Sequence, residues 1–257
     1  TNNYRHLAPA TQADCHLDAK LEAELRRNLV VPINEYRSEH RPVDRRGVLL
    51  HGRPGTGKTW ALGWVQAHVA EHCTVIVTTP AMFSNPFALA DLFKMAALGA
   101  PTLVVMEDLD LTVATRSPYG GSDALGELLS YLDGPSRVEG VFVAATTNHI
   151  KALDAALTRR PGRFDRRIEV GDATEEARRA VIGEMIGRIG ADPEQLEALV
   201  SRTAGWSLAE LQEAGTLAVL TALDLDEPID VVAALADVHR RDSDGASSSS
   251  STKAGYA

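Results

Sequence analysis

Gly52, Gly57, Lys58 and Thr59 stand at the spacing G-x-x-x-x-G-K-[ST]. Those residue types in that order can hold phosphate. Backbone N–H groups of the loop surround the oxygens, the lysine neutralises them and the hydroxyl ligates Mg²⁺. Pro54, Gly55 and Thr56 complete the loop, and Trp60 follows it. An ordinary glycine-rich turn is the plainer reading, and the flanks argue against it. Gly47 to His51 reads as a short buried strand and Trp60 to His72 as a helix, whose N-terminal N–H groups and dipole favour an anion.

Other groups have the same kind of double reading. The apolar run Leu103 to Met106 ends in Glu107-Asp108, where a phosphate-loop enzyme needs a partner for Mg²⁺ and a base for water; alone, two acids after a strand also read as a helix N-cap. Thr147-Asn148 follows the run Val141 to Thr146, so the Asn148 amide could reach a γ-phosphate or the attacking water, or simply occupy a turn. Residues 159–167 hold five arginines in nine positions, which is a solvated basic turn or a set of forks suited to phosphate. His68-Val69-Ala70-Glu71-His72 fits H-x-x-E-H, a zinc-peptidase spacing, but the sequence offers no third ligand and the segment belongs to the helix after the loop.

These residues need elements to position them. Leu17, Leu21, Leu25 and Leu29 recur at helical spacing, predicting an amphipathic helix that ends before Pro32. From Gly47 onward strand and helix alternate. Strands are expected at 73–78, 102–106, 141–146 and 167–170 and helices at 86–98, 123–132 and 152–158. Continuous apolar strands in such alternation make a parallel sheet covered on both faces, here five-stranded, and ligands of such sheets sit at the carboxyl ends of the strands. After Gly171 only helices are expected: 174–189, one opened by Asp192-Pro193, one opened by the capping box Ser207 to Glu210, and 230–240. The expected organisation is an N-terminal arm 1–16, an α/β domain 17–170, a small helical domain 171–241 and a flexible serine-rich tail 242–257.

Composition limits the rest. A chain of 257 residues can bury a sizeable core in one or two domains. Its formal charge of -9 disfavours non-specific nucleic-acid binding. Cys15 and Cys73 are too few for a disulfide framework, no signal pattern or membrane-length apolar run occurs, and a cytoplasmic location is the default expectation.

In order along the chain, the motifs resemble those of the AAA+ ATPases, from about Leu17 to Arg240. Gly52 to Thr59 matches Walker A, Leu103 to Asp108 Walker B, and Asn148 the polar sensor. Leu157 to Asp165 resembles the second region of homology, in which Arg160 and Arg163 match the arginine fingers. Gly205 to Leu211 looks like a degraded lid signature; Ala209 falls near a sensor-arginine position of other branches, so no such arginine is expected. Walker B usually ends Asp-Glu, and the inverted Glu107-Asp108, with Thr146 to His149, resembles the branch that includes the mitochondrial Rieske-protein translocase. The short loop Thr79 to Pro86 lacks the pore signature of threading unfoldases, leaving Met82 and Phe83 as candidates to grip a polypeptide or as core residues.

The resemblance implies a P-loop α/β domain followed by a helical lid, and ATP hydrolysis to ADP and phosphate between protomers of a ring, most often a hexamer. Lys58 would hold the β/γ-phosphates, Thr59 would ligate Mg²⁺ with Glu107 supporting it through water, Asp108 would activate the attacking water, Asn148 would place it, and Arg160 and Arg163 would act on the neighbour's nucleotide. Remodelling, translocating or disassembling a protein partner is the leading function. A nucleotide-dependent assembly scaffold is the alternative, and a nucleic-acid loader or motor is disfavoured by the net charge.

Overall fold

The computed structural model describes residues 17–39, 47–79, 82, 86–110, 128, 130–132, 138–151, 153, 164–225, 229–232 and 234. They fall into two compact units that divide between Gly171 and Asp172.

The first unit is built on five parallel strands, β1 (Gly47–His51), β2 (Thr74–Thr78), β3 (Thr102–Met106), β4 (Val141–Thr147) and β5 (Phe164–Glu169), in the order β2-β3-β4-β1-β5. β3 is buried along its whole length and β1 from Gly47 to Leu50, as strands covered on both faces must be. Alternate residues serve opposite faces. Leu49, Val104, Met106, Val143 and Ala145 pack with Leu89, Leu92 and Phe93 of α4 (Pro86–Leu98). Val48, Leu50, Leu103, Val105 and Ala144 pack with Leu62 and Val65 of α3 (Lys58–Val69) and with Leu25 and Leu29. The buried Thr102 hydroxyl donates to the Ala96 carbonyl at 2.7 Å, supplying one of the partners that a helix C-terminus lacks.

The N-terminal helix does not stop before Pro32. α1 (Ala19–Leu25), capped by the Asp18 carboxylate, runs into a π-helical turn, Arg26–Val30, and then α2 (Val31–Glu39). The Val31 N–H bonds to Arg26 O, one residue further back than in an α-helix. The wider turn places Pro32 in the first turn of α2, where its missing N–H costs little. Strand and helix ends otherwise shift by a few residues: the helix after the loop starts at Lys58 and ends at Val69, and the last strand starts at Phe164.

The second unit contains α5 (Glu175–Ile189), capped by Thr174 and closed by Gly190 at φ +72°, a 3-10 turn Pro193–Gln195, α6 (Leu196–Arg202) and α7 (Leu208–Leu225). The capping box is formed: Glu210 N–H donates to Ser207 Oγ at 3.2 Å and Ser207 N–H to Glu210 Oε2 at 2.5 Å. Ile182, Leu199, Leu211 and Ala214 centre its own core. Of the helix expected at 230–240, Val231, Val232 and Ala234 are described and helical. The expected arm 1–16 and tail 242–257 lie outside the described residues.

Arg166 of β5 forks onto Glu24 of α1, Nε to Oε2 at 2.8 Å and Nη2 to Oε1 at 2.5 Å, and this guanidinium holds the Glu24 carboxyl below its ordinary value of 4.5. A carboxyl that is harder to protonate when folded stabilises above its unfolded pKa, and the stabilisation is lost as pH falls through the folded one. Glu24→Gln should therefore lower the urea midpoint near neutral pH by an amount worth ~0.5–1 kcal/mol for a partly exposed pair. The gap to the unsubstituted protein should close as pH drops below 4.5.

Candidate functional site

The site lies at the carboxyl ends of β1, β3 and β4. After His51 the chain turns at Gly52, where a Cβ would lie 2.1 Å from the Val170 carbonyl oxygen. Val170 is held there because its N–H donates to His51 O at 2.8 Å. Only glycine fits. Gly55 and Gly57 adopt φ of +79° and +95°, a left-handed conformation costing other residues ~1 kcal/mol. The buried Thr56 hydroxyl donates to Arg53 O at 2.9 Å and ties the loop to itself. Pro54 and Thr59 are exposed, and Trp60 is half-buried in the first turn of α3.

Lys58, 6% exposed, donates from Nζ to Gly52 O at 2.9 Å and Arg53 O at 2.7 Å. Burial pushes its ammonium pKa down, while the charges of Asp108 and Asp110 pull it back up. A buried cation held by two loop carbonyls in the first turn of α3 is well placed for an anion.

β3 delivers the acid pair. Burial raises the Glu107 pKa, the nearby Thr59 hydroxyl opposes this and the neighbouring Asp108 charge adds to it. Thr59 and Glu107 thus present hard oxygen ligands side by side, a donor set that fits a Mg²⁺ ion sharing its shell with waters and phosphate. Asp108 has a φ of +48°, a region in which Asp is among the better tolerated side chains. Its N–H donates to Thr146 Oγ1 at 3.0 Å, and its Oδ1 accepts from Asn148 Nδ2 at 3.1 Å. The site residues expected on these strands are therefore adjacent.

One group was missed in sequence. Asp110, 9% exposed, accepts at Oδ1 from Thr147 Oγ1 at 2.7 Å and from the Asn148 N–H at 3.1 Å. Nothing in the local sequence marks it, since an acid two places beyond an acid pair reads as solvated.

Arg160, Arg163 and Phe83 lie outside the described residues. Of the arginine-rich segment, Arg166 is engaged by Glu24. Met82 is partly buried against the core on the α4 face. His68 Nδ1 sits 2.8 Å from Trp64 O, and its ring packs on Trp64 at 4.0 Å. Among the described residues no group of three or more His, Cys, Asp or Glu could hold a metal ion, and no helix is long and apolar enough to cross a membrane.

Residues 48–172 match the family described as "ATPase family associated with various cellular activities (AAA)". The chain is similar to the proteasome-activating nucleotidase of Sulfurisphaera tokodaii, 31% identical over 74% of this chain and 52% of that protein. It is similar to the ATP-dependent zinc metalloprotease FtsH 2 of Symbiobacterium thermophilum, 32% identical over 88% of this chain and 42% of that protein. It is also similar to the ATPase family gene 2 protein of Saccharomyces cerevisiae, 31% identical over 65% of this chain and 23% of that protein. The chain thus spans between about a quarter and about half the length of these curated relatives.

Because the atom facing Gly52 is a backbone carbonyl that cannot rotate away, Gly52→Ala should destabilise the first unit by ~1–3 kcal/mol. A urea midpoint equal to that of the unsubstituted protein would show that Val170 does not press on the loop.

Proposed function

We propose that this chain, which belongs to the AAA ATPase family through residues 48–172, binds ATP with Mg²⁺ at Gly52 to Thr59 and hydrolyses it to ADP and phosphate. The observation that carries the reading is the meeting of three things at the ends of adjacent parallel strands: Lys58 in the loop, the Thr59–Glu107 pair, and the Asp108–Asn148 pair.

Catalysis of phosphoryl transfer is largely positioning and charge neutralisation. The loop N–H groups and Lys58 Nζ bind the phosphates. Mg²⁺, when bound, neutralises charge developing on the phosphoryl oxygens, and Thr59 Oγ1 with Glu107 through water would hold it. Asp108 takes the proton of the attacking water on a carboxylate oxygen. Asn148 Nδ2, donating to Asp108 Oδ1, fixes that carboxylate against the water. Placing Asp where most of the family has Glu shortens the base by one methylene, so slow turnover is expected.

Arg160 and Arg163 of a neighbouring copy complete the site in a ring, most often a hexamer, and such fingers contribute ~10³–10⁵ in rate, or about 4–7 kcal/mol. The helical segment after Gly171 serves as a lid that converts phosphate release into movement. Remodelling, translocating or disassembling a protein partner is the role we favour. One similar protein is named as a proteasome activator and another as an ATP-dependent metalloprotease. The second reading, a nucleotide-dependent assembly scaffold, is favoured by Met82, which packs against the core instead of standing free to grip a chain.

Asp108→Asn should keep ATP affinity and lose ~10²–10⁴ in turnover, measured by phosphate release; normal hydrolysis would remove Asp108 from the role of base. Specific activity should climb with protein concentration, and concentration-independent turnover by a monomer would exclude fingers supplied by a neighbour. Stimulation by an unfolded protein supports remodelling, stimulation by DNA supports a nucleic-acid motor, and stimulation by neither supports the scaffold.

A further inference from the structure

Asp110 has no part in the roles above, yet it is placed where they are coordinated. It is 9% exposed, and its Oδ1 accepts the Thr147 hydroxyl and the Asn148 N–H across 37 and 38 positions of sequence. Thr147 is itself fully enclosed, and its oxygen accepts the His149 N–H at 3.0 Å. From the other side, the Asp108 N–H donates to Thr146 Oγ1, and Asn148 Nδ2 donates to Asp108 Oδ1 at 3.1 Å. The turn that leaves β3 and the turn that leaves β4 are therefore laced at two levels. Asp108 and Asn148 meet through side chains at the open level; Asp110 grips the backbone of Asn148 at the enclosed one.

This arrangement has a chemical consequence. A primary amide on a turn can rotate and its backbone can rock, so the Asn148–Asp108 contact alone would not hold a water in one place. Asp110 removes the backbone freedom, because a carboxylate accepting from both a hydroxyl and the next N–H fixes two successive residues of the turn. Burial strengthens such bonds and makes an unpaired partner costly. The negative charge also lies near enough to Lys58 to favour its ammonium form.

We propose that Asp110 is a positioning residue of this site, clamping the Thr147-Asn148 turn to the end of β3 so that the Asn148 amide stays aimed at the Asp108 carboxylate. The proposal rests on the ATPase reading only for its kinetic consequence. The clamp itself can be read without nucleotide.

Asp110→Ala should lower kcat ~30-fold while the KM for ATP stays within ~2-fold, the pattern of a lost transition-state alignment. Asp110→Asn keeps an oxygen acceptor and should recover kcat to within ~3-fold of the unsubstituted protein. In an Asn148→Ala background, Asp110→Ala should cost less than ~3-fold more, because a residue that acts through Asn148 is silent without it. Multiplying losses, a raised KM at constant kcat, or equal damage from Asn and Ala would overturn the proposal. If Asp110→Ala does not fold by circular dichroism, the near-isosteric Thr147→Val removes the Asp110–Thr147 bond together with the acceptor of the His149 N–H and should lower kcat ~3–10-fold at constant KM; no change would overturn the clamp. Hydrogen exchange in the absence of nucleotide gives the independent readout: in Asp110→Asn the Asn148 N–H should stay protected, and in Asp110→Ala the amides of 147–149, and in Thr147→Val that of Asn148, should exchange faster while those of β1 do not. Unchanged exchange refutes the clamp even if ATP is hydrolysed. Absence of ATP binding and hydrolysis in the unsubstituted protein refutes the ATPase reading and leaves the exchange result standing on its own.

Discussion

The register of β4 between β1 and β3 is the constraint on which the site depends. Ala145 stands opposite Leu49 on one side and Met106 on the other, so β3 ends at the level of Leu49 while β1 and β4 run on together to the His51–Thr147 pair, and the residues that follow all three strands emerge at the same end of the sheet. In a parallel sheet a slip of one residue would turn every side chain to the other face. Here that would exchange Leu49, Val104, Met106 and Val143 with Leu50, Val105 and Ala144, setting each core against the wrong helices. Two large apolar cores of different composition therefore enforce a polar alignment in which Lys58, Glu107, Asp108 and Asn148 lie within a side chain's reach.

Within that frame the polar groups hold one another more than the sheet holds them. Thr59 stands beside Glu107, Asn148 Nδ2 donates to Asp108, and Asp110 accepts from the Asn148 backbone. The left-handed backbone at Asp108 is supported by the Thr146 hydroxyl, not by ladder bonds. Backbone strain is tolerated near a reaction centre when the surroundings over-determine it, and this turn has such surroundings.

What could be read in the sequence follows from how far each cause reaches along the chain. Strands β1, β3 and β4 announce themselves because their burial is written in consecutive apolar residues, and the Ser207 to Glu210 box because both partners lie within one turn. The phosphate loop was legible as a spacing, but the reason for Gly52 was not: the Val170 carbonyl that forbids a Cβ is brought in by β5. Pro32 misled because the π-helical turn that accommodates it has no residue signature. Asp110 and Arg166 stayed hidden because their partners, Thr147 and Glu24, are set by the fold alone and lie 37 and 142 positions away.

The place of β1 between β4 and β5 also has a cost in time. Its neighbours in the sheet are β4 and β5, whereas β2 and β3 are neighbours close together in the chain. At the usual pace of synthesis, roughly 5–20 residues per second, the stretch between His51 and Val141 takes on the order of 5–20 s to leave the ribosome. During that interval both hydrogen-bonding edges of β1 await a partner. Helices nearby in sequence, α1, α2 and α3, can already shelter Val48 and Leu50, but Leu49 faces the side completed only by later elements. The nascent chain therefore passes through a window in which an unpaired apolar strand is available to chaperones, or to another copy of itself.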